Sequence, residues 1–170
     1  LALDQLDPII ALIRAAPDTA TARQQLQDQL LSTAMERQFA TAAASLRQAW
    51  QEMPEITEIS NNIIMEETDE GLNIMLVDQD GRSMFREGSK YPYETTRRLL
   101  AKMAPIVARM PNRVEITGHT TAGKQSMDPT YTGWDLSTER ANVARQILNE
   151  YGVPDEQFYA VIGKSDTEPL

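Results

Sequence analysis

The chain has 170 residues, with 16 Lys+Arg against 25 Asp+Glu for a formal net charge of -9, and no Cys. It can form no disulfide, thiolate nucleophile or Cys-based zinc site, and a negative field of that size opposes a nucleic-acid backbone or an anionic membrane surface as partner. A hydrophobic share of 41%, below the globular norm of about 45–50%, predicts one domain-sized core that does not use the whole length.

The single His closes any mechanism that needs two. No apolar stretch approaches the roughly 18 residues that cross a bilayer, and the start lacks the basic n-region of a signal peptide. Leu1 at the start and Thr167-Glu168-Pro169-Leu170 at the end read as the edges of a piece cut from a longer protein.

Leu3, Leu6, Ile10 and Ile13 step by three and four and predict a short amphipathic helix that stops before Pro17. Asp18 then caps a long helix whose seam is Leu26, Leu30, Phe39, Leu46, Trp50 and Met53, ending near Pro54. More than thirty residues at 1.5 Å each make a rod of roughly 50 Å, so its seam needs either a second chain or the globular part. The heptads are imperfect, and a regular coiled coil is not required.

Further on, Ile64, Glu66 and Thr68, then Leu72, Ile74 and Leu76, alternate around Asp69-Glu70-Gly71 and predict a hairpin with Gly at the turn. Asp80-Gly81 marks another turn. Tyr93 to Met110 is helical in spite of Pro105 and ends at Pro111. Val114, Glu115 and Ile116 form a short strand running into Gly118, and a polar loop extends to about Tyr131. Thr132 and Asp135 have the spacing of a capping box for a helix whose buried face is Leu136, Val143, Ile147 and Leu148, up to Tyr151-Gly152. Phe158, Ala160 and Ile162 make the last strand. The expected fold is α+β: a βαβαβ sandwich with an extra N-terminal strand and helices on one face of a mixed sheet.

Chemistry is sparse. His119 is read as a structural residue that orders the loop after it. The carboxylates sit in runs such as Glu66-Glu67-Thr68-Asp69-Glu70, which are ordinarily solvated turns, and no pair is marked for acid–base work. Ser137 lacks the Gly-x-Ser-x-Gly elbow of a nucleophile. Arg140, one turn after Leu136 near the start of its helix, is the informative residue. Its fork suits a carboxylate ligand, and a surface salt bridge with Glu139 or Asp135 is the plainer alternative.

Three runs then carry a resemblance: Ile116-Thr117-Gly118-His119-Thr120, Leu136-Ser137-Thr138-Glu139-Arg140-Ala141, and Gly152-Val153 with Ile162-Gly163. Together they resemble the OmpA-like peptidoglycan-binding domain. Gly71-Leu72-Asn73-Ile74, Met84-Phe85-Arg86-Glu87-Gly88-Ser89, Trp134-Asp135-Leu136-Ser137 and Arg140-Ala141-Asn142 make the likeness strongest to its flagellar motor stator branch, the MotB-like proteins. The likeness covers roughly residues 64–170, and the family's last strand would lie beyond Leu170.

The resemblance implies a non-enzymatic wall anchor that holds the diaminopimelate of the stem peptide, with no cofactor and no metal. The implied contacts are Arg140, Thr120, Thr121, Leu136, Ser137 and Phe85, with Arg140 on a ligand carboxylate. The family Asp that takes the ammonium is Thr121 here, and the family Asn three residues before the motif Leu is Gly133; Asp128 or Asp135 of the long loop could substitute. The resemblance also implies a plug-like helix over 1–16, a linker helix over 18–54 and an OmpA-like domain over 60–170, cut short at its end. By the same likeness the protein is a periplasmic homodimer with a MotA-like membrane partner, anchored in the inner membrane by a helix upstream of Leu1.

Overall fold

The computed structural model describes residues 19–68, 71–78, 83–121 and 128–168. The plug-like helix, the Asp18 cap, the Asp80-Gly81 turn and most of the polar loop before residue 128 lie outside the described residues. The chain divides into two compact units, Leu1–Thr41 and Ala42–Leu170. In order come α1 (Thr19–Gln51), a single turn α2 (Ile56–Ile59), β1 (Ile63–Thr68), β2 (Gly71–Leu76), α3 (Glu94–Arg109), β3 (Val114–Gly118), α4 (Gly133–Glu150) and β4 (Phe158–Gly163).

Within the first unit the described residues belong to α1, and Leu30 and Leu31 there are 69% and 62% exposed. The second unit begins with the last turns of the same helix. There Leu46 and Trp50, with Met53 just past the helix end, are buried in one core with Leu99, Leu100, Met103, Val107, Ile147 and Leu148. Trp50 satisfies its indole N–H on the Leu99 carbonyl (3.0 Å, buried), which lets a large aromatic be buried whole without an orphaned donor.

The hairpin forms as predicted. β1 and β2 pair antiparallel from Ile63↔Leu76 to Thr68↔Gly71, and Gly71 takes φ 147°, a backbone that side-chain-bearing residues avoid. Buried Asn62 ties its base by donating Nδ2–H to the Val77 carbonyl (2.6 Å). β3 and β4 pair in parallel, Ile116 opposite Val161 and Gly118 opposite Gly163. The strands are thus mixed in sense and form two ladders of two, and Ile63, Met65, Leu72, Ile74, Val114, Ile116 and Phe158 all pack on the one core.

α3 carries Pro105 inside it. The residue is exposed, and its missing N–H leaves the Ala101 carbonyl without its intrahelical donor. The far end of α3 is closed from a distance: Gln157 points its amide Nε2 at the carbonyls of Val107 (2.7 Å), Met110 (3.1 Å) and Asn112 (3.1 Å), at and just past the end of the helix, where carbonyls run short of intrahelical donors; Val107 also accepts the Met110 N–H (3.0 Å). α4 lies so close to β3 that a Cβ on Gly118 would stand 2.0 Å from the Ser137 carbonyl oxygen. That contact is backbone on backbone, and it seats the first turns of α4 on the strand end where the candidate site lies.

Candidate functional site

The site grows from the start of α4. Thr132 donates its backbone N–H to Asp135 Oδ2 (2.8 Å), completing the predicted capping box. These hydrogen bonds hold the Asp135 carboxyl below its ordinary pKa. Asp128 is engaged in the same way: its Oδ1 accepts the N–H of Thr130 (2.9 Å) and its hydroxyl (2.7 Å). Both acids of the loop are therefore occupied in turn and cap geometry.

Gly133 and Arg140 stand seven residues apart, on one face of α4 and about 10 Å apart along its axis. At the Gly133 end, the chain after β4 runs on beside the chain after β3. Lys164 donates to the Gly118 carbonyl (3.0 Å) and Thr120 to the Ser165 carbonyl (2.9 Å). Ser165 is buried and holds φ 50°, an uncommon backbone for a non-glycine residue. Its N–H is received by Ser137 Oγ (3.1 Å), which itself donates to the Trp134 carbonyl (3.2 Å).

Leu136 and Ser137 are completely buried. Neither side chain reaches solvent: Leu136 is packed inside, and Ser137 is the strut between α4 and the β4 end. Thr120 is partly buried beside Gly133, and its Oγ1 is a buried atom without a partner among the described residues. Thr121, next along, is exposed. The Nδ1 of His119 is also buried without a partner among the described residues; most of the loop it was expected to order lies outside them.

The other end of the face belongs to Arg140. Its Nε donates to the Ser89 carbonyl (2.8 Å) and its Nη2 to the Arg86 carbonyl (3.0 Å). The guanidinium carbon stands 5.1 Å from the centre of the Phe85 ring, within cation–π range. Among the described residues Arg140 makes no ion pair, so the salt bridge with Glu139 or Asp135 does not form. Burial lowers its pKa, and the charge of Asp78 and the neighbouring Tyr131 oppose that shift.

Glu139, the adjacent acid, is turned to Tyr131, whose hydroxyl donates to Glu139 Oε2. Burial first, and the Glu139 carboxylate second, push the Tyr131 phenol up to about 12. The structure thus brings Phe85 to Arg140 and Thr120 to Gly133. Sequence reasoning missed Tyr131, Glu139 and the Arg86 and Ser89 carbonyls. Glu139 stands inside the motif already singled out, whereas no side-chain pattern could announce two main-chain oxygens.

The chain is 31% identical over 118 residues to Motility protein B of Escherichia coli K12, covering 69% of this chain and 38% of that one. It is 34% identical over 105 residues to the flagellar export/assembly protein LafU of Escherichia coli O44:H18, covering 62% and 34%. The chain spans about a third to a half of the length of the curated relatives it matches. In structure it is similar to the cell wall anchor of the T6SS from Pseudomonas aeruginosa (TM-score 0.58, 22% identity, 74% of this chain and 82% of that one). It is also similar to a MotB-like protein from Desulfovibrio vulgaris (TM-score 0.64, 14% identity, 82% and 85%). At these identities the two structures establish the fold. The OmpA family pattern itself matches residues 84–170, just over half of the length and all of the site; the chain belongs to the OmpA family.

Proposed function

We propose that this chain is a non-enzymatic anchor that binds the peptidoglycan wall, with Arg140 receiving a carboxylate of the stem peptide. The carrying observation is a half-buried guanidinium with no carboxylate partner among the described residues, held by two carbonyls and the Phe85 ring. A cation that has lost part of its hydration without gaining a counter-ion is costly, and an anionic ligand relieves that cost with charge-assisted hydrogen bonds. Phe85, Thr120 and Thr121 complete the ligand contacts, Glu139 supplies the nearby negative charge for an ammonium, and Leu136 and Ser137 hold the backbone.

The finer reading concerns the whole protein. Residues 1–16 act as a plug and 18–54 as a linker that lets the domain of residues 60–170 reach the wall. The full-length protein is a periplasmic, inner-membrane-anchored homodimer that works with a MotA-like partner as a flagellar stator. Support comes from the likeness to Motility protein B and from a T6SS cell wall anchor of the same fold.

The test is co-sedimentation with purified sacculi. The unaltered chain is expected to pellet, and Arg140→Ala to lose roughly 2–4 kcal/mol of affinity through its unpaired ligand carboxylate. Thr121→Asp is the companion variant. Equal pelleting of Arg140→Ala overturns the role of Arg140. Binding that appears only when Asp is placed at 121 favours the second reading, a dimerisation and gating module whose wall site has decayed. That reading draws on the two Arg140 donor groups already bonded to carbonyls within the chain.

A further inference from the structure

Arg140 meets its loop along one edge. A guanidinium offers parallel N–H groups on two edges, one through Nε and Nη2 and the other through Nη1 and Nη2. Here the first edge is spent inside the chain, since Nε donates to the Ser89 carbonyl and Nη2 to the Arg86 carbonyl. Among the described residues Nη1 makes no hydrogen bond, so the second edge is the one left for a ligand.

The two carbonyls open and close one tight turn. Ser89 donates its N–H back to the Arg86 carbonyl (3.0 Å), and Gly88, third of the four residues, holds φ 65°. Positive φ at that position of a turn selects glycine, and asparagine after it. The Arg86 oxygen accepts twice, from Ser89 and from Arg140, which uses both of its lone pairs. The left-handed residue between them is what lets both oxygens converge on a single guanidinium edge.

This turn stands on a pinned base. The Met84 N–H is received by Asp78 Oδ1 (2.8 Å), and the Met84 carbonyl accepts the Tyr93 N–H (3.1 Å) and the buried Thr96 hydroxyl (2.7 Å). Phe85 pairs with Pro92 across the loop, and the Ser89 hydroxyl accepts the Tyr91 N–H (3.1 Å). With the Phe85 ring also against the guanidinium, a long and rotamer-rich side chain is held at its tip by a turn 51 positions away in sequence.

We infer that the Arg86–Ser89 turn, set by Gly88, is the positioning element of the site: it takes the Nε edge of Arg140 and presents the Nη1–Nη2 edge to the ligand. This rests on the wall-anchoring function above and adds what the presented edge selects. Two parallel donors match the two oxygens of a carboxylate. A carboxamide has a single oxygen, and its NH2 group would face an N–H of Arg140 with no acceptor between them. The aimed fork therefore separates carboxylate from carboxamide by geometry as well as by charge, and Gly88 is a positioning residue that acts through Arg140.

The experiment is titration of the whole chain, followed by amide chemical shifts, with two probes. One is a diaminopimelate-containing stem tripeptide; the other is the same tripeptide with its diaminopimelate carboxylates converted to carboxamides. The unaltered chain is expected to prefer the carboxylate form by about tenfold or more. Gly88→Ala, strained at positive φ, is expected to lower that preference about threefold or more, whereas Gly88→Asn tolerates the backbone and keeps it. Arg140→Lys has no second edge and should retain only the share of the preference that charge supplies, which Gly88→Ala added to it leaves unchanged. Amide shifts outside 84–93 that match the unaltered chain verify folding. The positioning role is overturned, and wall anchoring left standing, by an unchanged preference in Gly88→Ala, by equal weakening of both tripeptides, by the same loss in Gly88→Asn, or by a loss that persists beside Lys at 140. Failure of the unaltered chain to bind either tripeptide sinks the wall-anchoring reading and the inference with it.

Discussion

Gly133 stands where the resemblance implied an Asn, and its surroundings leave no room for a side chain. A Cβ there would stand 2.4 Å from Ser165 Oγ and 3.0 Å from Thr120 Oγ1. Ser165, held at φ 50°, and the bare Gly133 are therefore complementary. Gly133→Asn alone is expected to lose about 1–3 kcal/mol from overpacking. The double variant Gly133→Asn with Ser165→Gly should recover most of it, because glycine removes the blocking hydroxyl and suits the positive φ. Urea unfolding of the two single variants and the double reads this as a coupling energy, and simple additivity would refute it. At this scale the sequence was half legible. The Leu-Ser-x-x-Arg-Ala run pointed to Arg140, yet it also pointed to Ser137 as a ligand contact, where folding has turned the hydroxyl inward as a strut. A motif shows which residues recur together; which of them face solvent depends on what packs against the helix.

Helix ends and strand ends carry the site at the scale of elements. The cap of α4 was readable as Thr132 and Asp135 at capping-box spacing, because both partners lie within one turn. The depressed Asp135 pKa makes this cap sensitive to acid. Its stabilisation is complete above the ordinary carboxylate value of 3.8 and is lost as the pH falls from there through the lowered pKa. Asp135→Asn is expected to flatten the acid limb of a stability-against-pH curve below about pH 4 and to leave its shape near neutrality unchanged. Urea midpoints across that range check it, and an unaltered acid limb would assign the acid sensitivity elsewhere. The closure of α3 by Gln157 was not readable, since donor and acceptors are 45 to 50 residues apart and no local pattern connects them. The pairing of strands two by two is likewise a long-range outcome: alternation shows which residues form a strand and leaves its neighbour unspecified.

For the whole molecule, the last turns of α1 are part of the core of the second unit. Leu46, Trp50 and Met53 are at most 2% exposed within it. Trp50→Ala is expected to cost about 3–5 kcal/mol, as large-to-small changes of buried aromatics do. A chain beginning at Ala42 should unfold cooperatively, whereas one beginning at Ile56 should be strongly destabilised, both followed by urea unfolding. Equal stability of the two truncated chains would remove the end of α1 from the core.

The sequence by itself determined the longer helices and the strands among the described residues, their order, the α+β class and the family, because periodicity, caps and turn residues act over a few positions and the motifs keep their spacing. Tertiary structure alone decided that Arg140 rests on two main-chain carbonyls and the Phe85 ring without a carboxylate partner among the described residues, and that Ser137 is sealed inside. Each of these joins residues separated by tens of positions, and only the packing of α3 and α4 over the strands brings them within reach.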